Sequence, residues 1–232
     1  MKQGIVVCTW SGGQPWAHLC IESLIPIYGK YPIYVAINDI DNADNVWINA
    51  ISKYVNIIGI RSDYRELGVI RSILKNTDLD EFWFFQDSVE ITDTFFIGDT
   101  FENHPGETAT YMNNYMQFYL GKWKTNILKE LDIPEPKDKM EAVKYELDFA
   151  NKYFAADAGN KSIIVDPSMR YDDKRTNYMD TLFEEDRLAV VGKFLIKRIS
   201  IVKENMRDDS GEFMSDEDIE EWKKIWRKMI NP

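Results

Sequence analysis

The residues best suited to chemistry stand in one stretch, Phe82-Trp83-Phe84-Phe85-Gln86-Asp87-Ser88-Val89-Glu90-Ile91. Its continuous apolar run reads as a strand covered on both faces, and it stops at three polar residues. Asp87 stands out among them, because a carboxylate closing so apolar a strand is costly unless it is paired or used. At such an edge a carboxylate can offer oxygens to a divalent cation, and the cation can neutralise a departing diphosphate. Glu90 and Asp93 follow closely, but a strand alternates its faces, so Glu90 need not point where Ser88 points.

Further candidates lie outside this stretch. Gly12-Gly13 lacks the Lys-Ser/Thr of a phosphate loop and the Gly-X-Gly-X-X-Gly of a dinucleotide fold, and reads as a turn. Asp39 belongs to the turn-forming run Asn38-Asp39-Ile40-Asp41-Asn42 and reads equally as a turn residue or a ligand. His18 and His104 are far apart and make no metal motif by themselves. His104, in the loop Glu102-Asn103-His104-Pro105-Gly106, is either a ligand or acceptor contact or a surface histidine. A general base for an acceptor hydroxyl has four acids to come from, Glu107, Asp157, Asp172 and Asp173. Small residues around Asp157 leave room for a substrate, although a helix-ending loop acid is an equal reading. Tyr111, Tyr115, Tyr119 and Trp123 recur at four-residue steps, as a core stripe or a sugar-stacking wall would.

The elements that position these groups follow a clear rhythm. Residues 5–9, 33–37, 55–60 and 81–85 read as strands, and 16–28, 46–54 and 67–75 as helices between them. Alternation of this kind builds right-handed crossovers in a mainly parallel sheet, whose ligands sit beyond the carboxyl ends of the strands. Here those ends are residues 9–13, 38–41, 61–65 and 86–90, all polar. Downstream, 139–154 reads as an amphipathic helix and 163–165 as a short strand, while 188–202 fits both strand and helix templates. Ser215 with Asp216, Glu217 and Asp218 predicts the start of a C-terminal helix whose Ile219, Trp222, Ile225, Trp226 and Met229 share one face.

With 232 residues, 44% of them hydrophobic, the chain can bury a core of its own and is expected to form one domain. A formal net charge of -11 disfavours polyanionic partners, nucleic acid and anionic membrane among them. Cys8 and Cys20 fit no metal-ligand spacing and read as buried thiols suited to a reducing compartment. Only four apolar residues precede the first turn, too few for a secretory segment or a membrane span. A cytoplasmic location is the expectation.

The ordered series of strands and helices, with Asn38-Asp39, then Glu66-Leu67-Gly68-Val69-Ile70-Arg71, then Phe85-Gln86-Asp87-Ser88-Val89, resembles the nucleotide-sugar half of GT-A glycosyltransferases of the family 2 type. The likeness spans about the first hundred residues. It implies an α/β, Rossmann-like GT-A fold over 1–232, with 1–100 binding the donor and 101–232 shaping the acceptor site. It also implies a nucleotide-sugar donor, a UDP-sugar by default, and a glycan, lipid-linked glycan or other hydroxyl as acceptor. Thr9, Asp39, Arg65, Gly68, Arg71, Gln86, Asp87 and Ser88 match positions near the nucleotide. The family's Asp-X-Asp motif is reduced here to Asp87, so the expected Mn²⁺ or Mg²⁺ rests on Asp87, with His104 as a second candidate ligand, and Asp157 and Glu107 are the candidate catalytic acids. A sugar nucleotidyltransferase, or a noncatalytic sugar or nucleotide binder of the same fold, is the alternative.

Overall fold

The computed structural model describes residues 1–61, 65–110, 120–137, 139–157, 163–165, 170–172, 187–191 and 193–200. The expected C-terminal helix, Asp173, and Tyr111, Tyr115 and Tyr119 lie outside the described residues.

The first half runs β1 (Gln3–Trp10), α1 (Gln14–Ser23), β2 (Ile33–Asn38), α2 (Asn45–Ile51), β3 (Asn56–Ile60), α3 (Arg65–Asn76) and β4 (Glu81–Gln86). Expected and observed elements agree to within a few residues except at the end of α1. There Pro26 and a short 3-10 turn over Ile25–Ile27 end the helix early. The Asp44 carboxylate caps α2 by accepting from Val46 N at 2.7 Å, satisfying a backbone donor that the helix leaves open.

Beyond β4 come β5 (Val89–Ile91), α4 (Phe95–Asn103), β6 (Ala109–Thr110), β7 (Leu120–Lys124), α5 (Thr125–Glu130) and α6 (Lys139–Ala156). Four short strands follow: β8 (Ile163–Ile164), β9 (Arg170–Asp172), β10 (Arg187–Val191) and β11 (Leu195–Ser200). Residues 188–202, open to either template in the sequence, therefore contain an antiparallel strand pair.

The main sheet has the order β3-β2-β1-β4-β7-β6-β8. Its first four strands are mutually parallel, and β7 alone runs against its neighbours. Strands from beyond residue 100 thus complete the sheet begun by the first half. A second sheet, β5-β11-β10-β9, is antiparallel throughout. The chain changes sheets at Asp87-Ser88, since β4 pairs with β1 and β7 whereas β5 pairs with β11.

Alternation along the strands divides the core between the two faces. Ile5, Val7, Trp83 and Phe85 pack with α1 and α4, while Val6, Cys8, Phe82 and Phe84 pack with α3 and α6. That is why β4 is apolar without a break: it is buried on both sides, each aromatic contributing on the order of 2–3 kcal/mol. Cys8 and Cys20 are buried in the cores of opposite faces and form no disulfide with each other.

Candidate active site

The carboxyl ends of β1 and β4 meet at Asp87. The Asp87 amide donates to Cys8 O at 2.9 Å, extending the β1–β4 pairing by one residue. Thr9, next in β1 and 2% exposed, donates its hydroxyl to Asp87 Oδ2 at 2.8 Å. Gly13 leads into α1 directly against this pair. A Cβ there would fall inside 3.0 Å of the Asp87 and Thr9 side-chain oxygens and 2.8 Å from Trp10 Cδ1, so only glycine permits the approach.

Next to β1, the end of β2 is fixed by two side chains. Asn38 is buried and donates to Thr9 O at 3.1 Å, tying the strand ends together. Asp39 adopts a left-handed conformation, φ 55° and ψ 46°, which costs on the order of 1 kcal/mol for a non-glycine residue. Its carboxylate accepts from Ser11 Oγ at 3.0 Å and from Asn42 Nδ2 at 2.9 Å, which holds it at the mouth of the β1–β2 groove.

Trp10, Ser11 and Gly13, within the 9–13 strand end, and Glu66, which pattern alone did not single out, also belong to this edge. Trp10 is 56% exposed and its indole lies on Gly12, where any Cβ would collide with the six-membered ring. An exposed tryptophan between a buried strand and a Gly-Gly turn is the signal that marks it. Glu66, in the first turn of α3, is buried and accepts from Gln86 Nε2. Only long-range packing reveals that contact, because the two residues are twenty positions apart.

Of the expected nucleotide-contacting residues, Thr9, Asp39, Gln86, Asp87 and Ser88 come together at this edge, where the backbone of Arg65 also opens α3. Gly68 is buried one turn into α3. Arg71 is directed elsewhere: it forms an ion pair with Glu135 and donates to Pro134 O at 2.9 Å, fastening α3 to the 133–135 connection. Its side chain is engaged in packing rather than turned to the strand ends.

The structure separates Glu107, Asp157 and His104 from Asp87. Asp157 is 4% exposed, bonded to Thr108 Oγ1 and ion-paired with Lys124, whose strand partner is Glu81 at the start of β4. The length of β4 separates Glu81 from Asp87, a rise of about 20 Å. Ala155 and Ala156, before Asp157 at the end of α6, are exposed, while Asp157 itself is buried. His104 and Glu107 sit at the same remote end, 3.6 Å from each other, where His104 O accepts from Lys122 Nζ at 2.7 Å. His104 and Asp87 cannot share one cation at that separation. Trp123 lies in β7, so it does not continue a helical stripe.

This remote end is a buried polar network. Lys122 is enclosed, donating to Thr100 O at 2.8 Å and to His104 O, and lies 3.5 Å from Glu81 Oε2. Burial pushes its ammonium pKa below the usual lysine value, against the pull of Glu81. Burial likewise raises the Tyr153 phenol, whose oxygen contacts Thr108 Oγ1 at 2.9 Å and accepts from Lys124 N at 3.0 Å. With these bonds made, the network joins α4, α6, β4 and β7.

A divalent cation at the strand ends meets a sparse donor set. Among the described residues no three His, Cys, Asp or Glu side chains gather as a ligand group. Asp87 offers a carboxylate, one oxygen of which already accepts from Thr9. Such a set fits a cation only if bound diphosphate completes its coordination, as Mg²⁺ sites commonly require.

No protein-family model and no curated protein matches the chain, but solved structures do. Residues 1–349 of S. aureus TarS align at a TM-score of 0.52 and 14% identity, covering 72% of this chain and 58% of that one. The same protein in complex with UDP-GlcNAc aligns at 0.51 and 14%, covering 72% and 56%. Glucosyl-3-phosphoglycerate synthase from Mycobacterium tuberculosis, in complex with Mn²⁺, UDP-glucose and glycerol 3-phosphate, aligns at 0.50 and 11%, covering 78% and 75%. The chain therefore spans less than three fifths of the TarS chains it matches. At these identities the likeness is one of fold, and it agrees with the strand order and the sheet change at Asp87: the chain has the GT-A fold of nucleotide-sugar glycosyltransferases.

Proposed function

We propose that this chain is a glycosyltransferase that binds a nucleotide-sugar at the carboxyl ends of β1, β2 and β4 and passes the sugar to an acceptor hydroxyl. The observation that carries the reading is the Thr9–Asp87 hydrogen bond sealed by Gly13, which fixes an acid at the point where the chain changes sheets. Trp10 offers an open ring face beside it for a nucleobase or a sugar ring. The UDP-GlcNAc and UDP-glucose complexes of the similar structures support a UDP-sugar as donor. A glycan or lipid-linked glycan fits the acceptor role better than nucleic acid, which a net charge of -11 repels.

Transfer breaks the bond between the anomeric carbon and the diphosphate and forms one to the acceptor oxygen, which loses its proton. The chain contributes mainly orientation, through a strand edge that hydrogen bonds hold rigid. Asp39, Glu66 and Asp87 give that edge negative charge, so a diphosphate arriving there needs a cationic partner. Asp87 would hold Mn²⁺ or Mg²⁺ together with the donor's phosphates, and the ion would neutralise charge on the leaving diphosphate. Arg65, which opens α3, is the protein cation nearest in sequence to this edge.

A panel of UDP-, GDP- and CMP-sugars tests the proposal. At least one should be hydrolysed slowly or transferred, and should raise the melting temperature; silence across the panel contradicts it. The reduction of the Asp-X-Asp positions to Asp87 alone favours a second reading, a noncatalytic nucleotide or sugar binder. Asp87→Asn separates the two, since an enzyme loses turnover where a binder loses affinity alone. No described helix is long and apolar enough to cross a membrane.

A further inference from the structure

Glu66 is 7% exposed, at a crevice edge where a second anion opposes diphosphate binding. One of its oxygens accepts from Gln86 Nε2. The two residues come from elements that are not neighbours in the sheet. The helix α3 follows β3, at the sheet margin, and packs on β3, β2 and β1, while Glu66 in its first turn meets Gln86, the last residue of β4. The Glu66–Gln86 bond therefore ties the start of α3 to the end of β4. Thr9 holds the same Gln86–Ser88 turn from the β1 side, through Asp87. The turn is thus pinned from two directions, once by a hydroxyl donating to its own Asp87 carboxylate and once by its Gln86 amide donating to Glu66, so a carboxylate accepts in both bonds.

We propose that Glu66 is a positioning residue for the donor site, acting through Gln86 to hold the turn that carries Asp87. The inference rests on the donor reading above. What the site uses is the acceptor oxygen of Glu66 that Gln86 occupies. Two consequences follow. Glutamine at 66 keeps an acceptor for Gln86 and preserves the turn. An apolar residue of similar volume releases Gln86 and lets the turn drift, and nucleotide affinity falls.

The test is calorimetric titration of the full chain with UDP, GDP and CMP, continued with the tightest of the three on Glu66→Met, Glu66→Gln, Gln86→Leu and the double variant E66M/Q86L. Glu66→Met should weaken binding about tenfold, the equivalent of one lost charged hydrogen bond. Glu66→Gln should stay within about twofold of the parent, because it keeps the acceptor. The double variant should bind like Gln86→Leu alone, since Glu66 acts on the ligand through Gln86. Unchanged affinity in Glu66→Met, an equal loss in Glu66→Gln, or additive losses in the double variant would each overturn the proposal. If Glu66→Met does not fold, the comparison of E66M/Q86L with Gln86→Leu decides in the same way: equality supports it and a further loss overturns it. A parent chain that binds none of the three nucleotides overturns the donor reading itself. A parent that binds while the variants respond wrongly overturns Glu66 alone.

Discussion

Replacing Gly13 by alanine puts one methyl group against the Thr9–Asp87 pair, and the structure allows the outcome to be worked out. Gly13 has φ -86° and ψ 4°, which any L-residue adopts. On backbone grounds alone the substitution should stabilise, by about 0.4–1 kcal/mol, because alanine restricts the unfolded chain. The new Cβ, however, would stand inside 3.0 Å of both side-chain oxygens and 2.8 Å from Trp10 Cδ1. Crowding of this degree costs about 1–3 kcal/mol. The Thr9–Asp87 bond is the easiest thing to give way, and its loss adds roughly another 1 kcal/mol. The net expectation is about 1–3 kcal/mol of destabilisation, and at about 2–4 °C per kcal/mol for a chain this long, a fall in Tm of roughly 2–12 °C. Gly98 is the control. It lies inside α4, a Cβ there would meet nothing nearer than 3.7 Å, and alanine should raise Tm by a few degrees at about 1 kcal/mol of helix propensity. Differential scanning calorimetry on both variants suffices. If Gly13→Ala stabilises as much as Gly98→Ala, the close packing of α1 on Asp87 is wrong.

Three further outcomes are expected. Asp157→Asn should destabilise the chain by about 3 kcal/mol, because it strands the buried Lys124, yet leave UDP affinity unchanged in a titration, since the pair lies at the far end of the sheet. Lys122 has a folded-state pKa below its unfolded value, so the native chain binds fewer protons than the unfolded one between those values. Stability from this group therefore rises as pH climbs through that alkaline window toward the ordinary lysine value, and the Tm of Lys122→Met should lack that rise relative to the parent. Arg71→Ala should lower Tm by a few degrees, about 1 kcal/mol for a half-exposed pair with carbonyl contacts, and change nucleotide affinity less than about twofold.

The strand and helix rhythm of the first half was legible because each element carries its own signal. The run Glu81–Phe85 is apolar throughout since both of its faces are buried, and Asp87 was conspicuous because nothing in so apolar a strand explains an acid locally. What surrounds Asp87 was not legible. The Thr9–Asp87 and Glu66–Gln86 bonds join residues 78 and 20 positions apart, and the packing of α1 that demands Gly13 exists only in three dimensions. The candidates drawn from the second half lie apart from Asp87 for a related reason. Asp157 among small residues looked accessible, but its carboxylate folds inward to Lys124 while Ala155 and Ala156 take the solvent. His104 follows the site strand in sequence, yet α4 carries the chain back to the other end of the sheet before it appears. An acid used to close a buried network and an acid used on a substrate have the same local sequence.

A crystal structure of the chain soaked with UDP and Mn²⁺ bears most directly on where an activated sugar would bind. The nucleotide should lie over the ends of β1, β2 and β4, in contact with the 9–13 segment and the Gln86–Ser88 turn, with any metal bridging Asp87 to its phosphates. A nucleotide found at the Glu81–Lys122 end, or no nucleotide at millimolar concentration, would contradict the account.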